Sequence, residues 1–191
     1  MRNPPDSSFP QRALTDTPAE AQRAAELLRT PGALLLLSPA EAECVVGHMR
    51  LVHFAPGTTL FREGDDTRLG YMLLVLDGEV SVDTTAKGSP HSVPISVLGP
   101  GSVLGEMAFL DGSPRSATCK AISAVQAAGL SSRALEVLIE RHPKVAAKLL
   151  ICLGARIADR LRGLNDQLQM YAQMTGDLQA EVARLRGGST R

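Results

Sequence analysis

Residues 72–82 have the sequence MLLVLDGEVSV, in which two apolar segments flank Asp77-Gly78. The Asp-Gly pair supplies the positive φ angle that a tight two-residue turn requires, so this stretch predicts a β-hairpin. From Leu51 to Leu130 the pattern continues, with short apolar segments between Gly- and Pro-containing turns about every 8 to 13 residues. A helical fold would have to place glycine inside helices repeatedly. The region therefore predicts a barrel or sandwich of short strands.

The N-terminal quarter of the chain is predicted to be an arm followed by two helices. Residues 1–16 are rich in Pro, Ser and other polar residues without an apolar period, which predicts a disordered or loosely attached arm. The segments Thr17-Pro18-Ala19-Glu20 and Ser38-Pro39-Ala40-Glu41 each have the pattern of a capping box with Pro at the first helical position. Helices are therefore expected to end near Arg29 and Met49. Residues 17–142 form the predicted domain.

The C-terminal part predicts a short helix and then a very long one. Ser131 or Ser132 can cap a helix that ends near Arg141, and His142-Pro143 interrupts it. Residues 143–186 continue as a helix about 60 Å long, before a tail of residues 187–191. The apolar positions of this helix alternate in steps of four and three, with Thr175 in the missing place, and are Ile157, Leu161, Leu164, Leu168, Tyr171, Leu178, Val182 and Leu185. Such a seam predicts a coiled coil in a homodimer.

Charge and hydropathy argue against nucleic acids and membranes as general partners. The 191 residues contain 20 Lys and Arg and 20 Asp and Glu, so the formal net charge is +0. Aromatic residues are only 3% of the chain, which leaves little for base stacking. The longest apolar stretch, Ala33–Leu37, is far below the roughly 20 residues that span a bilayer. We expect a cytoplasmic protein without a membrane segment.

Metal-dependent and nucleophilic catalysis are also not expected. Three cysteines, Cys44, Cys119 and Cys152, are too far apart for a zinc-ligand spacing, and the four histidines are scattered. None of the Ser, Cys or Thr residues lies in a Gly-x-Ser-x-Gly context. The sequence therefore predicts no catalytic residue, no metal site and no enzymatic activity.

Residues 105–118, GEMAFLDGSPRSAT, resemble the phosphate-binding cassette of the cyclic nucleotide-binding domain family. Upstream, residues 56–65, PGTTLFREGD, and residues 77–80, DGEV, resemble the β-roll glycine signatures of that family. The resemblance covers about Leu37 to Leu168. It implies an α+β fold of the catabolite activator type, in which N-terminal helices and a long C-terminal coiled-coil helix flank an antiparallel, jelly-roll-like β-roll.

The cassette residues suit a cyclic nucleotide chemically. A buried phosphate requires a cation, and the Arg115 guanidinium can contact two of its oxygens while staying charged. Gly105 allows a close backbone approach, and the N–H groups of the next residues, including Met107 and Ala108, would face the same phosphate. The carboxylate of Glu106 would repel a phosphate but accepts a hydrogen bond from a ribose hydroxyl. Alternatively, Glu106 and Arg115 form only an ion pair that closes a loop.

The resemblance adds contacts that the residues alone do not establish. It implies a hydroxyl contact from Ser116, a backbone N–H from Ala117, and base contacts from the positions of Leu164 and Asn165. Leu164 departs from the polar residue of the catabolite activator branch, and Asn165 is equally consistent with a solvated helix position. Ser116 favours cyclic AMP over cyclic GMP, because the family members that favour cyclic GMP often have Thr there. The predicted ligand-binding residues are Gly105, Glu106, Met107, Ala108, Arg115, Ser116, Ala117 and Asn165.

These features predict a sensor that binds a cyclic nucleotide, changes conformation and signals to an unidentified effector protein. One alternative is a coiled-coil scaffold whose degenerate β-roll binds no ligand. A second alternative is a truncated transcription regulator, since regulators of this family carry a helix-turn-helix domain after the dimerising helix. Only Gly187–Arg191 follow the predicted helix. We therefore expect a stand-alone domain that does not bind DNA directly.

Overall fold

The computed structural model describes residues 12–29, 36–67, 70–85 and 92–187. A short 3-10 helix spans Leu14–Asp16, and the α-helices are α1 (Pro18–Leu28), α2 (Pro39–Val46), α3 (Glu106–Asp111), α4 (Ser132–Arg141) and α5 (Pro143–Gly187). The strands are β1 (Arg50–Phe54), β2 (Thr59–Phe61), β3 (Tyr71–Asp77), β4 (Val80–Thr85), β5 (Ser92–Leu98), β6 (Val103–Leu104), β7 (Thr118–Ala121) and β8 (Val125–Ser131). Over these residues, no helix combines the length and apolar character needed to cross a membrane.

The strands form two four-stranded antiparallel sheets, with the orders β1-β8-β3-β6 and β2-β7-β4-β5. One core cluster draws its side chains from both sheets, among them Leu73 and Val75 of β3 and Val80 and Val82 of β4. A second cluster joins the helices to the other side of β3. The predicted α+β architecture, an antiparallel β-roll with N-terminal helices and a long C-terminal helix, is confirmed.

The predicted hairpin is wrong in its pairing. β3 pairs with β6 and β8, whereas β4 pairs with β5 and β7, so Asp77-Gly78 carries the chain from one sheet to the other. Gly78 has the expected positive φ, 86°, and a Cβ there would overlap the carbonyl oxygen of Ala124. The physical reason is the burial of β3 on both faces: Leu73 and Val75 pack in one cluster, whereas Met72, Leu74 and Leu76 pack in the other. A strand with two apolar faces needs neighbours on both edges and cover on both sides.

The two predicted capping boxes have different outcomes. At α2 the box is confirmed, because the Ser38 hydroxyl accepts a hydrogen bond from the Glu41 amide, and the Glu41 carboxylate accepts one from the Ser38 amide at 2.7 Å. At α1 it is wrong: the Thr17 hydroxyl donates to the Leu14 carbonyl at 2.8 Å and caps no helix amide. The Ser131 cap of α4 is confirmed, with the Ala134 amide donating to its hydroxyl.

The end of the predicted arm packs on the domain. Leu14 is fully buried in the helical core cluster, and its amide donates to the Met49 carbonyl at 3.2 Å. Ala13 forms a β-bridge with Arg50. Ala13 and Leu14 of the predicted arm therefore contact the domain, whereas residues 1–11 lie outside the described residues. A single apolar residue in a polar stretch has no period, so the sequence contained no signal for this contact.

An ion pair joins α2 to α5. The Lys148 ammonium lies 2.7 Å from both carboxylate oxygens of Glu41, which already takes part in the capping box. The hydrogen bond from Lys148 is the main reason that the pKa of the Glu41 carboxyl is lowered. The neighbouring α5 residues Leu149 and Leu153 are buried in the helical core cluster. The first part of α5 is thus part of the domain.

The chain divides into two compact units between Leu153 and Gly154. The second unit, Gly154–Arg191, contains the remainder of α5, in which every residue from Leu161 to Arg184 is exposed. Its exposed apolar side chains include Leu161, Leu168, Tyr171 and Leu178. The long helix is confirmed, and its pairing with a second copy stays a prediction.

Candidate ligand-binding site

The site is built around α3, a helix of six residues between two left-handed glycines. Gly105 precedes the helix with φ 74°, and Gly112 follows it with φ 71°. The Phe109 amide donates to the Gly105 carbonyl, and the Gly112 amide donates to the Ala108 carbonyl. Positive φ values are accessible to glycine at little cost, which explains why the cassette has glycine at both positions. The turn between β6 and α3 is therefore set by local sequence.

Two charged side chains are buried here. Glu106, the first residue of α3, is 5% exposed, and Arg115 is 4% exposed. Charged residues are rarely buried unless they are paired or hydrogen-bonded. The Nη1 group of Arg115 donates to the Gly105 carbonyl at 2.8 Å, and its Nη2 group donates to the Tyr71 carbonyl at 2.9 Å. The guanidinium thus ties the start of β3 to the turn before α3.

Two aromatic rings also lie next to the Arg115 guanidinium. Its guanidinium carbon lies 4.0 Å from the centroid of the Phe61 ring and 5.2 Å from that of the Tyr71 ring. The two centroids are 5.2 Å apart. A desolvated cation over an aromatic face gains roughly 2 kcal/mol. Neither ring was predicted to belong to the site, although Phe61 lies inside the quoted stretch 56–65 and the chain has only four Phe and two Tyr.

The charge of Arg115 lies in a desolvated environment. Burial lowers the pKa of the Arg115 guanidinium, because desolvation disfavours the charged form, whereas the Asp65 and Glu106 carboxylates act in the opposite direction. An arginine nevertheless stays protonated in proteins. Its burial makes a charge-assisted contact stronger than it would be in water, because the local dielectric constant is low. Phosphates and carboxylates are the anions that a guanidinium can contact with two parallel hydrogen bonds.

The backbone of Arg115 is clamped by the loop between β2 and β3. The Gly64 amide donates to the Arg115 carbonyl at 2.8 Å, and the Arg115 amide donates to the Asp65 carbonyl at 3.0 Å. The residues of the quoted glycine signature therefore contact the cassette directly. Thr118 contributes as well, because its hydroxyl accepts a hydrogen bond from the Glu63 amide at 3.1 Å.

The other predicted site residues differ in their surroundings. Met107 and Ser116 are exposed and close together, with the Ser116 hydroxyl 3.9 Å from the Met107 sulfur. Ala108 is buried, and Ala117 packs against the cluster between the sheets. Asn165 belongs to the second unit of the chain and is exposed on α5. The cassette brings the residues from Gly105 to Ala117 together, and the roles predicted for them stay predictions.

Metal ligands do not cluster in the described part of the chain. Over residues 12–29, 36–67, 70–85 and 92–187, no group of three or more His, Cys, Asp or Glu side chains is arranged to hold a metal ion. The chemistry that these residues offer is that of one buried cation, one buried carboxylate and oriented backbone groups.

Comparisons with known proteins agree with this geometry. The family model of the cyclic nucleotide-binding domain matches residues 51–142. The chain is 27% identical over 162 residues to a CRP-like cAMP-activated global transcriptional regulator of Mycobacterium tuberculosis, covering 84% of this chain and 69% of that protein. The crystal structure of a cyclic nucleotide-binding domain from Methylobacillus flagellatus superposes with a TM-score of 0.73 at 29% identity, covering 80% of this chain and 84% of that one.

A second solved structure matches this chain over almost its whole length. It is the N-terminal domain of a transcriptional regulator from Streptomyces coelicolor, which is 30% identical and superposes with a TM-score of 0.60 over 73% of this chain and 95% of that one. The family model begins at Leu51 in β1 and ends at His142 after α4, so it contains both sheets and the whole cassette. The buried arginine, the glycine-bounded helix and the β-roll all lie inside the matched region. The chain belongs to the cyclic nucleotide-binding domain family.

Proposed function

We propose that this protein is a cyclic nucleotide sensor that regulates a partner protein and catalyses no reaction. The observation that carries the proposal is the burial of Arg115, with its guanidinium held by two carbonyl groups and two aromatic rings beside the buried Glu106. Such a cation offsets the charge of a desolvated phosphate. The curated relative from Mycobacterium tuberculosis is named as a regulator activated by cAMP, which supports a regulatory role here.

In this proposal different residues of the cassette bind different groups of the ligand. Arg115 binds the cyclic phosphate together with backbone N–H groups that follow Gly105, including those of Met107 and Ala108. Glu106 accepts a hydrogen bond from the ribose 2′-hydroxyl, since an ionised carboxylate has only acceptors. Ser116 and Ala117 add a hydroxyl and a backbone N–H.

Cyclic AMP is the favoured ligand. Ser116 supports this preference, and so does the name of the relative from Mycobacterium tuberculosis. We further propose that Asn165 contacts the base, because an amide side chain offers a donor and an acceptor to an adenine edge.

Calorimetric titration of the full-length protein tests the function. We expect cyclic AMP to bind with micromolar or tighter affinity and cyclic GMP to bind more weakly, after copurified nucleotide has been removed. Tighter binding of cyclic GMP would contradict the preference for cyclic AMP but would still support a cyclic nucleotide sensor. The absence of heat with both nucleotides, in a protein with a cooperative unfolding transition, would favour the coiled-coil scaffold instead.

We propose that α5 forms a homodimer along its apolar seam. Leu161 and Leu168 are 57% and 65% exposed within one copy, which is costly for a repeated apolar row unless a partner covers it. Analytical ultracentrifugation should give twice the monomer mass for the parent protein. Leu168→Glu should give monomers, because it places like charges opposite each other in the seam. Gln169→Glu adds the same charge at an exposed neighbouring position outside the seam, and this variant should stay dimeric. If both variants were dimers, the proposal that the dimer forms along the seam would be wrong.

The proposed signal passes from the cassette to α5. The cassette is followed by β7, β8, α4 and the His142-Pro143 junction, and the first turns of α5 contribute Ala146 and Leu149 to the helical core cluster. A nucleotide that tightens the cassette would change the packing of these helices and therefore the presentation of α5 to an effector protein. Unchanged hydrogen exchange of residues 134–168 at saturating nucleotide would exclude this coupling.

A further inference from the structure

The carboxylate of Glu63 joins the loop after β2 to the end of β4. Its Oε1 atom accepts a hydrogen bond from the Thr84 hydroxyl at 2.9 Å, and its Oε2 atom accepts one from the Thr85 amide at 2.8 Å. The hydrogen bond from the Thr85 amide is the main reason that the pKa of the Glu63 carboxyl is lowered. Both partners lie more than twenty residues away, so the contact is tertiary.

The main chain of Glu63 is held at the same place from the other direction. Its amide donates to the Thr118 hydroxyl of β7. β4 and β7 are neighbours in the sheet, with Asp83 opposite Thr118. Glu63 is therefore fixed to two adjacent strands, one through its side chain and one through its backbone.

The two residues after Glu63 hold Arg115. Gly64 donates its amide to the Arg115 carbonyl, and Asp65 accepts from the Arg115 amide, so two backbone hydrogen bonds join this loop to the cassette. A displacement of the loop must displace the backbone of Arg115 or break these bonds. The guanidinium has little freedom to compensate, because it is confined by the Gly105 and Tyr71 carbonyls.

We infer that Glu63 is the positioning residue of the Arg115 phosphate contact: by fastening the loop to the end of β4, it sets where the backbone of Arg115 lies and hence where the guanidinium meets the ligand. This inference rests on the proposed function for its ligand. Glu63 itself makes no contact with the nucleotide.

The chemistry of the contact suits a carboxylate. A hydroxyl and an amide both donate to Glu63, and an ionised carboxylate offers each of them its own acceptor oxygen. A glutamine keeps one acceptor oxygen for the Thr85 amide, but its NH2 group only donates, so the Thr84 hydroxyl would have to rotate to accept from it. Glu63→Gln should therefore fasten the loop to β4 in part, and Glu63→Ala should not fasten it.

The experiment compares Glu63→Ala and Glu63→Gln with Asp66→Ala, which removes an exposed carboxylate from the same loop. Amide hydrogen exchange of the nucleotide-free protein is measured first. The reporters are the Gly64 and Arg115 amides, and the reference is the Ala121 amide, which donates to Thr58 at the opposite end of β2. We expect Glu63→Ala to raise the exchange rate of both reporters about tenfold relative to Ala121, Glu63→Gln to raise it less, and Asp66→Ala to leave it unchanged.

Nucleotide affinity is measured second on the same variants. We expect a fall of about tenfold for Glu63→Ala, a partial recovery for Glu63→Gln, and the parent affinity for Asp66→Ala. Thr84→Val removes one donor from the opposite side and should lower the affinity in the same direction.

The inference would be wrong if Glu63→Ala left the exchange rates of the Gly64 and Arg115 amides unchanged. It would also be wrong if the exchange rate of the Ala121 amide rose equally, because that would mean a general loss of stability. A selective rise in exchange at Gly64 and Arg115 without a loss of nucleotide affinity would overturn it as well. If the parent protein binds neither nucleotide, the proposed function fails, while the exchange measurement still decides whether Glu63 holds Arg115.

Discussion

Replacing Arg115 with alanine should lower the affinity for cyclic nucleotide by at least about tenfold. A hydrogen bond to a charged group contributes roughly 1.5 to 3 kcal/mol, and each 1.4 kcal/mol is about one factor of ten. The substitution also removes the guanidinium N–H groups that donate to the Gly105 and Tyr71 carbonyls, and it removes the cation that contacts the Phe61 ring. The free energy of unfolding of the nucleotide-free protein should therefore fall as well.

Two controls separate charge from geometry. Arg115→Lys keeps the charge, but its ammonium is a single point of donation and cannot reproduce the fork between the two carbonyls, so its affinity should lie between the parent and Arg115→Ala. Arg62→Ala removes an exposed arginine from the adjacent loop and should keep the parent affinity. Calorimetric titration and chemical unfolding measure both quantities. Parent-like affinity of Arg115→Ala would exclude Arg115 from the phosphate contact.

Replacing Gly105 with alanine should impair binding through the shape of the site rather than its charge. Gly105 has φ 74°, and a Cβ there would overlap the Nη1 group of Arg115 and lie 2.9 Å from the Phe61 ring. The methyl group can be accommodated only if the guanidinium leaves its position between the carbonyl and the aromatic rings. We expect a loss of affinity of about tenfold or more, together with a loss of stability that exceeds the roughly 1 to 2 kcal/mol of a left-handed alanine.

Gly112 offers a matched control at the other end of α3. Its φ is 71°, but a Cβ there has no heavy atom within 4 Å. Gly112→Ala therefore carries the same left-handed strain without touching Arg115, and it should cost about 1 to 2 kcal/mol of stability while leaving the affinity within a few-fold of the parent. Equal losses of affinity in the two variants would show that strain in α3, and not contact with Arg115, controls binding.

Features that depend on a few neighbouring residues could be predicted from the sequence. The capping box of Ser38 and Glu41, the Ser131 cap and the positive φ of Gly78 all follow from the local chemistry of side chain and backbone. The long α5 follows from an apolar period that continues over many turns. The cassette is likewise one continuous segment, and its resemblance to the family located the buried Glu106 and Arg115.

Long-range features could not be predicted in this way. The Thr17 hydroxyl could have capped α1, but it donates to the Leu14 carbonyl, which the 3-10 turn Leu14–Asp16 brings within reach. The long-range feature is the burial of Leu14 in the helical core cluster, which holds that turn against the domain. Phe61 and Tyr71 flank the Arg115 guanidinium from β2 and β3, which are remote from the cassette along the chain. Their aromatic character was visible in the sequence, and their partner was not.

The strand pairing illustrates the division best. The sequence by itself determined where the region of short strands, the Asp77-Gly78 turn, the Ser38 and Ser131 caps and the cassette lie, because these depend on backbone preferences over a few residues. Only the tertiary structure decided that β3 and β4 belong to different sheets, and that Glu63, Gly64 and Asp65 fasten Arg115 from another loop. The physical reason is that a strand selects its partners by burying both of its faces and satisfying its backbone groups, and these conditions are set by residues far apart in the chain.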